Sequence, residues 1–366
     1  MRIIYKLLFL SILTVVFSCS SDNDGSPEDE GEEISPVVFD INAVPYPKLS
    51  DYNFFKTPLS DMNPVYGVIP YEPISTLFSD YALKKRYIWM PEGVSASYLS
   101  DGQSLDFPVG TILIKNFYYE HVVPNDSKKI LETRLMIKME NEWKFANYVW
   151  NDEQTEAFYD MNGTYVPVTW NQNGETKEVT YRIPNGAECV TCHNSNEIPL
   201  PIGPKPQNLN KLFAYDTGTQ NQLQKLKDFG YLTDFPDNIQ TVVDYHDESQ
   251  PLELRVRSYV DINCAHCHSE GGFCNYRAPR FAFEKTSQPE NLGICIVPDE
   301  NIDPYTNGGN PTHIVTPGHH DKSVIFYRLS TTLENIRMPL RGRTLVHEEG
   351  VAMISQWIDS LEGNCE

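Results

Sequence analysis

Apolar and β-branched side chains alternate with polar ones in short segments between residue 37 and about residue 182. Clusters of Gly, Pro, Asn and Asp separate these segments at short intervals, as they do where a chain turns between successive strands. The pattern predicts an all-β N-terminal domain, built as a sandwich or a small barrel. The clearest predicted strands cover residues 111–121, 132–139, 144–150, 165–170 and 178–183.

After Pro184 the apolar positions take a helical spacing, and Pro-rich loops separate the helices that this spacing predicts. We predict helices over about residues 220–229, 252–263 and 348–361. The last two carry apolar stripes that should face a partner, formed by Leu252, Val256, Tyr259 and Val260 and by Val351, Ile354, Ile358 and Leu361. The expected fold is therefore multidomain, with the all-β part followed by mainly α domains.

The first eighteen residues have the layout of a secretory signal peptide, because Arg2 and Lys6 precede an apolar run over residues 7–17. That run is too short to cross a bilayer permanently. The sequence VFSC at residues 16–19 resembles a bacterial lipoprotein cleavage box, and this resemblance implies that Cys19 becomes the lipidated first residue. An ordinary cleaved signal, with Cys19 as an incidental thiol, is the alternative.

The chain is strongly acidic, with 29 basic and 50 acidic side chains and a net charge of -21. Seven acids and no base fall within residues 20–33, so we expect residues 19–36 to be a solvated tether. Nucleic-acid phosphates would repel such a polyanion, which excludes a sequence-independent nucleic-acid binder. An acidic stretch after a lipidated Cys also resembles the surface-export signals of some Gram-negative lipoproteins. We therefore expect an outer-membrane lipid anchor, on either the periplasmic or the surface face.

Two pentapeptides carry the chemistry: CVTCH at residues 189–193 and CAHCH at residues 264–268. Both are C-x-x-C-H, the attachment site of a c-type haem. The spacing brings two thiols to the two vinyl groups of the porphyrin and places the following imidazole under the iron. The sequence therefore predicts two covalent haems. Their expected anchors are Cys189 and Cys192 with His193 as iron ligand, and Cys264 and Cys267 with His268 as iron ligand.

Two other chemistries use the same residue types. The two C-x-x-C pairs could form a zinc site, or they could act as a redox dithiol or as two local disulfides. The adjacent His in both copies and the export signal favour haem. His266, between the cysteines of the second motif, is expected to be a surface spacer rather than a ligand.

Met338 is the candidate sixth ligand of the second iron. It precedes Pro339, about seventy residues after His268 and about ten residues before the last predicted helix. A helix ending in C-x-x-C-H, a Met-Pro loop and a C-terminal helix carrying Trp357 resemble a class I cytochrome c domain. The resemblance implies that the Met338 sulfur lies opposite His268, where a thioether raises the reduction potential.

The first iron has several candidate sixth ligands: His121, Met161, His246 and His313. None of them has a spacing that singles it out. If none binds, the iron keeps an open face, which would suit small-molecule chemistry rather than electron relay.

Besides Cys19, three cysteines lie outside the motifs. Cys274 and Cys295 could form a disulfide that closes a loop of about twenty residues and stabilises the fold by about 3 kcal/mol. Cys365 could replace either partner or stay free.

Longer strings resemble a family of exported dihaem c-type cytochromes over about residues 66–361. They are VIPYEPISTLFSDYALKKRYIWMPEG, FPVGTILIKNFYY, ETRLMIK and YVWNDEQTEA before the first motif, ECVTCH at that motif, and LELRVRSYVDINCAHCHSEGG, IVTPGHHDKSVIFYRL and RMPLRGR after it. The resemblance implies haem binding and electron transfer. The expected divisions are a signal peptide (1–18), an acidic tether (19–36), a β-rich domain (37–182), a first haem region (183–248) and a cytochrome c-like domain with the second haem (249–366).

The sequence thus predicts a lipoprotein that passes single electrons between an extracytoplasmic dehydrogenase and a downstream acceptor. Its acidic surface predicts basic docking patches on the redox partners. The alternative is a dihaem peroxidase or oxidase with an open site at the first haem. A third reading has the β-rich domain bind a carbohydrate or a partner protein, with the haems as its redox output.

Overall fold

The computed structural model describes residues 33–302 and 311–365, and from Ser35 onward the chain forms one compact unit. The predicted signal peptide, Cys19 and most of the predicted acidic tether lie outside the described residues. Within the described part, no helix has the length and apolarity needed to cross a bilayer.

An eight-stranded antiparallel sheet dominates the fold. Strands β1 to β6 follow one another as neighbours, and the β7–β8 hairpin joins the sheet where Trp170 pairs with Val122 at the end of β3. Asn173 and Gly174 both have positive φ in the tight turn between β7 and β8, a conformation that Asn-Gly adopts readily. The strands are β1 (Ile69–Tyr71), β2 (Leu83–Trp89), β3 (Ile112–Val122), β4 (Ser127–Lys138), β5 (Trp143–Trp150), β6 (Ala157–Tyr159), β7 (Thr164–Gln172) and β8 (Glu175–Ile183).

Six α-helices follow the sheet within the residues that the structure describes. They are α1 (Gly186–Cys192), α2 (Pro206–Leu209), α3 (Gln222–Asp228), α4 (Leu252–Val260), α5 (Val324–Ser330) and α6 (Glu348–Ser360). A small hairpin of β9 (Leu212–Tyr215) and β10 (Gly218–Asn221) lies between α2 and α3. Single 3-10 turns occur at Leu49–Tyr52, Leu59–Asp61, Pro289–Leu292 and His320–Lys322.

Both faces of the sheet are covered, because successive side chains of a strand point to opposite faces and both sets are apolar. On one face, Ile112 and Ile114 of β3 pack against the N-terminal segment that carries Tyr52. On the other face, Leu113 packs in one cluster with Leu223 of α3. The residues after the sheet therefore fold back over it.

The expectation of mainly α domains after the β-rich part is wrong. The molecule is mostly β, and the helices of its second half have between four and thirteen residues. Long irregular segments rich in Pro and Gly connect them, and proline interrupts the helical hydrogen-bond ladder. The two predicted stripes do meet, since Val256 and Tyr259 of α4 share a buried cluster with Ile354 and Trp357 of α6.

The predicted Cys274–Cys295 disulfide is also wrong. Cys295 is bonded to Cys365, with a Cα–Cα distance of 5.2 Å, and the bond ties the segment after α6 to the loop before α5. Cys274 is a buried free thiol.

Candidate functional site

The first C-x-x-C-H motif lies on α1, directly after the last strand of the sheet. Asn185 begins this helix: its side chain accepts a hydrogen bond from the Glu188 N–H, and the Asn185 N–H donates to the Glu188 carboxylate, both at 3.0 Å. Arg182 at the end of β8 donates two further hydrogen bonds to that carboxylate. These contacts fix the short helix, and with it Cys189 and Cys192, at the edge of the sheet.

His193 ends α1 with its imidazole held in one orientation. Its Nδ1 lies 2.9 Å from the carbonyl oxygen of Leu200, to which it donates, so Nε2 is left free. Burial lowers the pKa of His193 to about 4, and the ring is therefore neutral at neutral pH. Metal-binding histidines typically donate their second ring nitrogen to a backbone carbonyl in this way. The donor set at this motif fits an axial haem ligand.

The second motif begins where α4 changes its geometry. The helix continues into a π-helical turn over Asp261–Ala265, which carries Cys264. The buried Asp261 carboxylate holds this turn in place, because Lys205 Nζ and the Phe283 N–H both donate to it at 3.0 Å. Such π-helical turns often occur at functional sites.

His268 is less constrained than His193. Its backbone N–H donates to the Cys264 carbonyl at 3.0 Å, but its buried Nδ1 has no hydrogen-bond partner in the described part of the chain. Burial lowers the pKa of His268 to about 4 and raises the pKa of Cys264 to about 12. Both groups are therefore uncharged at neutral pH.

The two motifs meet at their second cysteines. Ligand atoms of Cys192, His266 and Cys267 all lie within 4.8 Å of one another. The hydrogen bond from Cys267 holds the pKa of Cys192 well below its usual value, and the pKa of Cys267 is raised in return. His266 is half-buried between the two motifs, so the expectation of a surface position is wrong.

A cavity of about 310 Å³ lies between the first motif and the sheet, and Cys189, Cys192 and His193 contribute to its wall. A polar row across the sheet forms the opposite wall: Lys115 of β3 pairs with Arg134 of β4, which pairs with Asn147 of β5.

Arg134 is held in this row by Glu132, which is completely buried. The guanidinium donates two hydrogen bonds to the Glu132 carboxylate, which also accepts one from the Tyr181 hydroxyl at 2.8 Å. Although burial lowers the pKa of Arg134, the Glu132 carboxylate outweighs this effect and the net shift is upward. Arg134 therefore stays charged beside the cavity.

A second cavity of about 270 Å³ adjoins the second motif. Cys264, Cys267 and His268 line it together with Met338, so the structure brings Met338 and His268 to the same cavity. The Met338 N–H donates to the Arg328 carbonyl at 2.7 Å, and Arg343 Nε donates to the Met338 carbonyl at 2.9 Å. These bonds fix the backbone on both sides of the thioether.

Sequence reasoning missed the arginines around the cavities. Arg337, Arg341 and Arg343 line the first cavity, and Arg341 also lines the second. Arg337 is 5% exposed, and its buried Nε has no partner in the described residues. Three arginines within seven residues of an acidic chain were the available signal. Their guanidinium groups suit a ligand that carries carboxylates, such as the two propionates of a haem.

Of the four candidate sixth ligands of the first iron, Met161 lines the first of these two cavities and the three histidines line neither. His121 is exposed and pairs with Asp126 at 2.8 Å. His246 is exposed and packs against Tyr245, with ring centroids 4.1 Å apart.

No protein-family model matches the chain, and neither a curated protein nor a solved structure matches it. The family resemblance of the sequence strings therefore stays a prediction.

Proposed function

We propose that the protein is a dihaem c-type cytochrome that transfers single electrons between an extracytoplasmic dehydrogenase and a downstream acceptor. The observation that carries the proposal is the placement of both C-x-x-C-H motifs, each at the wall of its own cavity and in contact at Cys192 and Cys267. A haem supplies one-electron chemistry when bound. Side chains of this protein would anchor the haems, bind their irons and neutralise their propionates.

The cysteines would anchor the two groups, and each imidazole would bind an iron. Cys189 and Cys192 would serve the first site, and Cys264 and Cys267 the second. The hydrogen bond from His193 Nδ1 to the Leu200 carbonyl supports this role, because it fixes the tautomer in which Nε2 can bind an iron.

The contact between Cys192 and Cys267 supports electron exchange between the two sites. Thioethers formed at these two sulfurs would attach neighbouring edges of the two porphyrins, because the ligand atoms at this contact lie within 4.8 Å of one another. Arg341 lines both cavities and would neutralise propionate charge from either group. We therefore infer that the two haems act as one coupled pair.

We further propose that Cys19 carries a lipid anchor and that the protein works in the cell envelope, at the outer membrane. The net charge of -21 supports partners with basic docking patches. Such electrostatically guided contacts weaken as salt rises, so electron transfer to the partner should slow with ionic strength.

Counting covalent haems tests the proposal. Mass spectrometry and a pyridine haemochrome spectrum of the mature protein should give two haems for each chain. The double variant Cys189→Ser/Cys192→Ser should keep one haem, and so should Cys264→Ser/Cys267→Ser. The control is Cys274→Ser, which removes a free thiol outside the motifs and should keep both. A parent protein without covalent haem would contradict the proposal.

A second candidate function is a metal site formed by Cys192, His266 and Cys267. Their proximity favours it, because a nitrogen and two sulfurs are ligands that zinc prefers. The variant His266→Ala separates the two proposals: it should keep both haems if the protein is a cytochrome. One zinc for each parent chain, lost in His266→Ala together with an absence of haem, would instead support the metal site.

A further inference from the structure

We propose that Met161 is the sixth ligand of the iron bound by His193. The inference rests on the proposed function and extends it, because it assigns a thioether to the haem site that the sequence left open. Met161 lies in the turn between β6 and β7, and it lines the cavity that also carries Cys189 and Cys192.

Backbone hydrogen bonds hold Met161 beside the haem-binding helix. The Gly186 N–H, at the start of α1, donates to the Met161 carbonyl at 3.0 Å. The Asn147 N–H donates to the Met161 sulfur at 3.3 Å, which fixes the position of the thioether against the sheet. The Met161 methyl lies so close to Gly186 that a Cβ added there would come within 3.1 Å of it. The Met161 side chain is therefore held in one position.

The other candidates are held elsewhere. His121, His246 and His313 line neither cavity, and His313 lies 2.9 Å from the Thr312 hydroxyl through its Nδ1. Placement therefore excludes all three as ligands of the first iron.

Three further side chains of the cavity wall are nitrogen or sulfur donors: His266, Met136 and Lys115. His266 has its ligand atom within 4.8 Å of the Cys192 and Cys267 sulfurs, which would attach the porphyrins at their edges, so His266 would lie beside a porphyrin edge and not over the iron. Met136 belongs to the hydrophobic cluster of the sheet and is 8% exposed, packed with Leu113 and Trp143. Lys115 places its ammonium 4.9 Å from the centre of the Phe117 ring. Burial and the neighbouring cations lower the pKa of Lys115, and a propionate beside Lys115 and Arg134 would restore the ammonium charge. Lys115 therefore suits a propionate carboxylate better than an iron. Met161 is the soft donor that remains.

Ligation by Met161 gives the first iron a histidine and a thioether, the pair that raises haem reduction potentials. With both axial positions filled, the iron has no open face for peroxide or oxygen. The assignment thus favours a pure relay over the dihaem enzyme predicted as the alternative.

The test uses the absorption band from methionine sulfur to ferric iron in the near infrared, recorded on the mature protein with its haems counted by pyridine haemochrome. The parent should show this band for both haems, since Met338 is expected at the second iron. Met161→Leu should halve its intensity, Met338→Leu should halve it as well, and the double variant should abolish it. Met161→Leu should also bind carbon monoxide when reduced. Met136→Leu is the matched control, as it changes a methionine of the same cavity wall and should leave the band intact.

The outcomes separate this inference from the proposed function. Full band intensity in Met161→Leu with two haems present would overturn the assignment and leave the cytochrome proposal standing. Loss of the band in Met136→Leu would overturn the assignment in favour of Met136. A changed spin state in Lys115→Leu or in His266→Ala would overturn it in favour of the residue replaced. If Met161→Leu fails to mature, Met161→His should keep two low-spin haems and lower one reduction potential. A parent without haem would contradict the proposed function itself.

Discussion

Individual buried polar residues set the chemistry of this fold, and Glu132 illustrates how. Its carboxylate has no exposed surface, yet Arg134 and Tyr181 satisfy its oxygens. Removing one partner from such a group leaves an uncompensated buried charge, which costs more than the pair contributes. The arrangement therefore keeps Arg134 charged at the wall of the first cavity.

His347 makes the stability of the protein depend on pH. Its ring stacks on Phe78 at 4.1 Å and its Nδ1 lies 3.2 Å from the Tyr259 hydroxyl. Burial lowers the pKa of His347 to about 4, whereas a histidine of the unfolded chain has a pKa of about 6.5. Above that value both states are neutral and His347 contributes no pH dependence. As the pH falls from 6.5 towards 4, the unfolded chain binds a proton that the folded protein does not, so the free energy of unfolding decreases.

Between about pH 7 and about pH 5, the free energy of unfolding of the parent should fall by about 2 kcal/mol more than that of His347→Phe. The measurement is chemical denaturation of the mature protein at both pH values. His121→Asn is the control, because His121 is exposed and should not change the loss. Equal losses in His347→Phe and the parent would show that His347 is not the responsible group.

At the scale of the elements, sequence patterns were informative wherever periodicity alone decides the structure. The predicted strand at 111–121 corresponds to β3, the one at 144–150 to β5, and the predicted helix at 348–361 to α6. Periodicity does not say which segments pack together, however. Periodicity therefore did not predict that the residues after the sheet pack over its second face. It also did not predict that the polar row of Lys115 and Arg134 faces a cavity rather than solvent.

The sequence names the residues of the two motifs but not the residues that surround them. The C-x-x-C-H spacing is local, so Cys189 and Cys264 could be named from the sequence. The contact between Cys192 and Cys267 joins residues 75 positions apart, and no spacing encodes it. For the same reason Cys295 could not be paired with Cys365, since a disulfide requires two positions that the fold brings together.

The cap of α1 offers a test at this scale. Asn185→Ala removes the side-chain oxygen that accepts from the Glu188 N–H, which should cost about 1 kcal/mol of unfolding free energy. Asn221→Ala is a matched control, because Asn221 caps α3 in the same way, through Leu223 and Gln224, far along the chain from either motif. Both variants should be destabilised similarly by chemical denaturation. Only Asn185→Ala should also lower haem occupancy at the first motif, and equal occupancy in both variants would contradict a positioning role for this cap.

On the scale of the whole molecule, the Cys295–Cys365 disulfide closes the segment that completes the second cavity. The two cysteines are 70 residues apart, and Met338 lies between them. Cross-linking a loop of this length stabilises the folded state by about 4 kcal/mol in the chain-entropy account, because the unfolded chain loses freedom. The bond also holds the segment after α6 against the loop that precedes α5. Two residues of α5, Val324 and Arg328, line the second cavity.

Cys295→Ser/Cys365→Ser should therefore lower the free energy of unfolding by about 2–4 kcal/mol, measured by denaturation of the mature protein without reductant. Since the loosened segment carries Met338 and not Met161, the absorption band from sulfur to iron should weaken for the second haem alone. Cys274→Ser removes a buried thiol that forms no bond and should leave that band unchanged. A double variant that loses stability while both haems keep their thioether bands would mean that the disulfide stabilises the fold without shaping the second site.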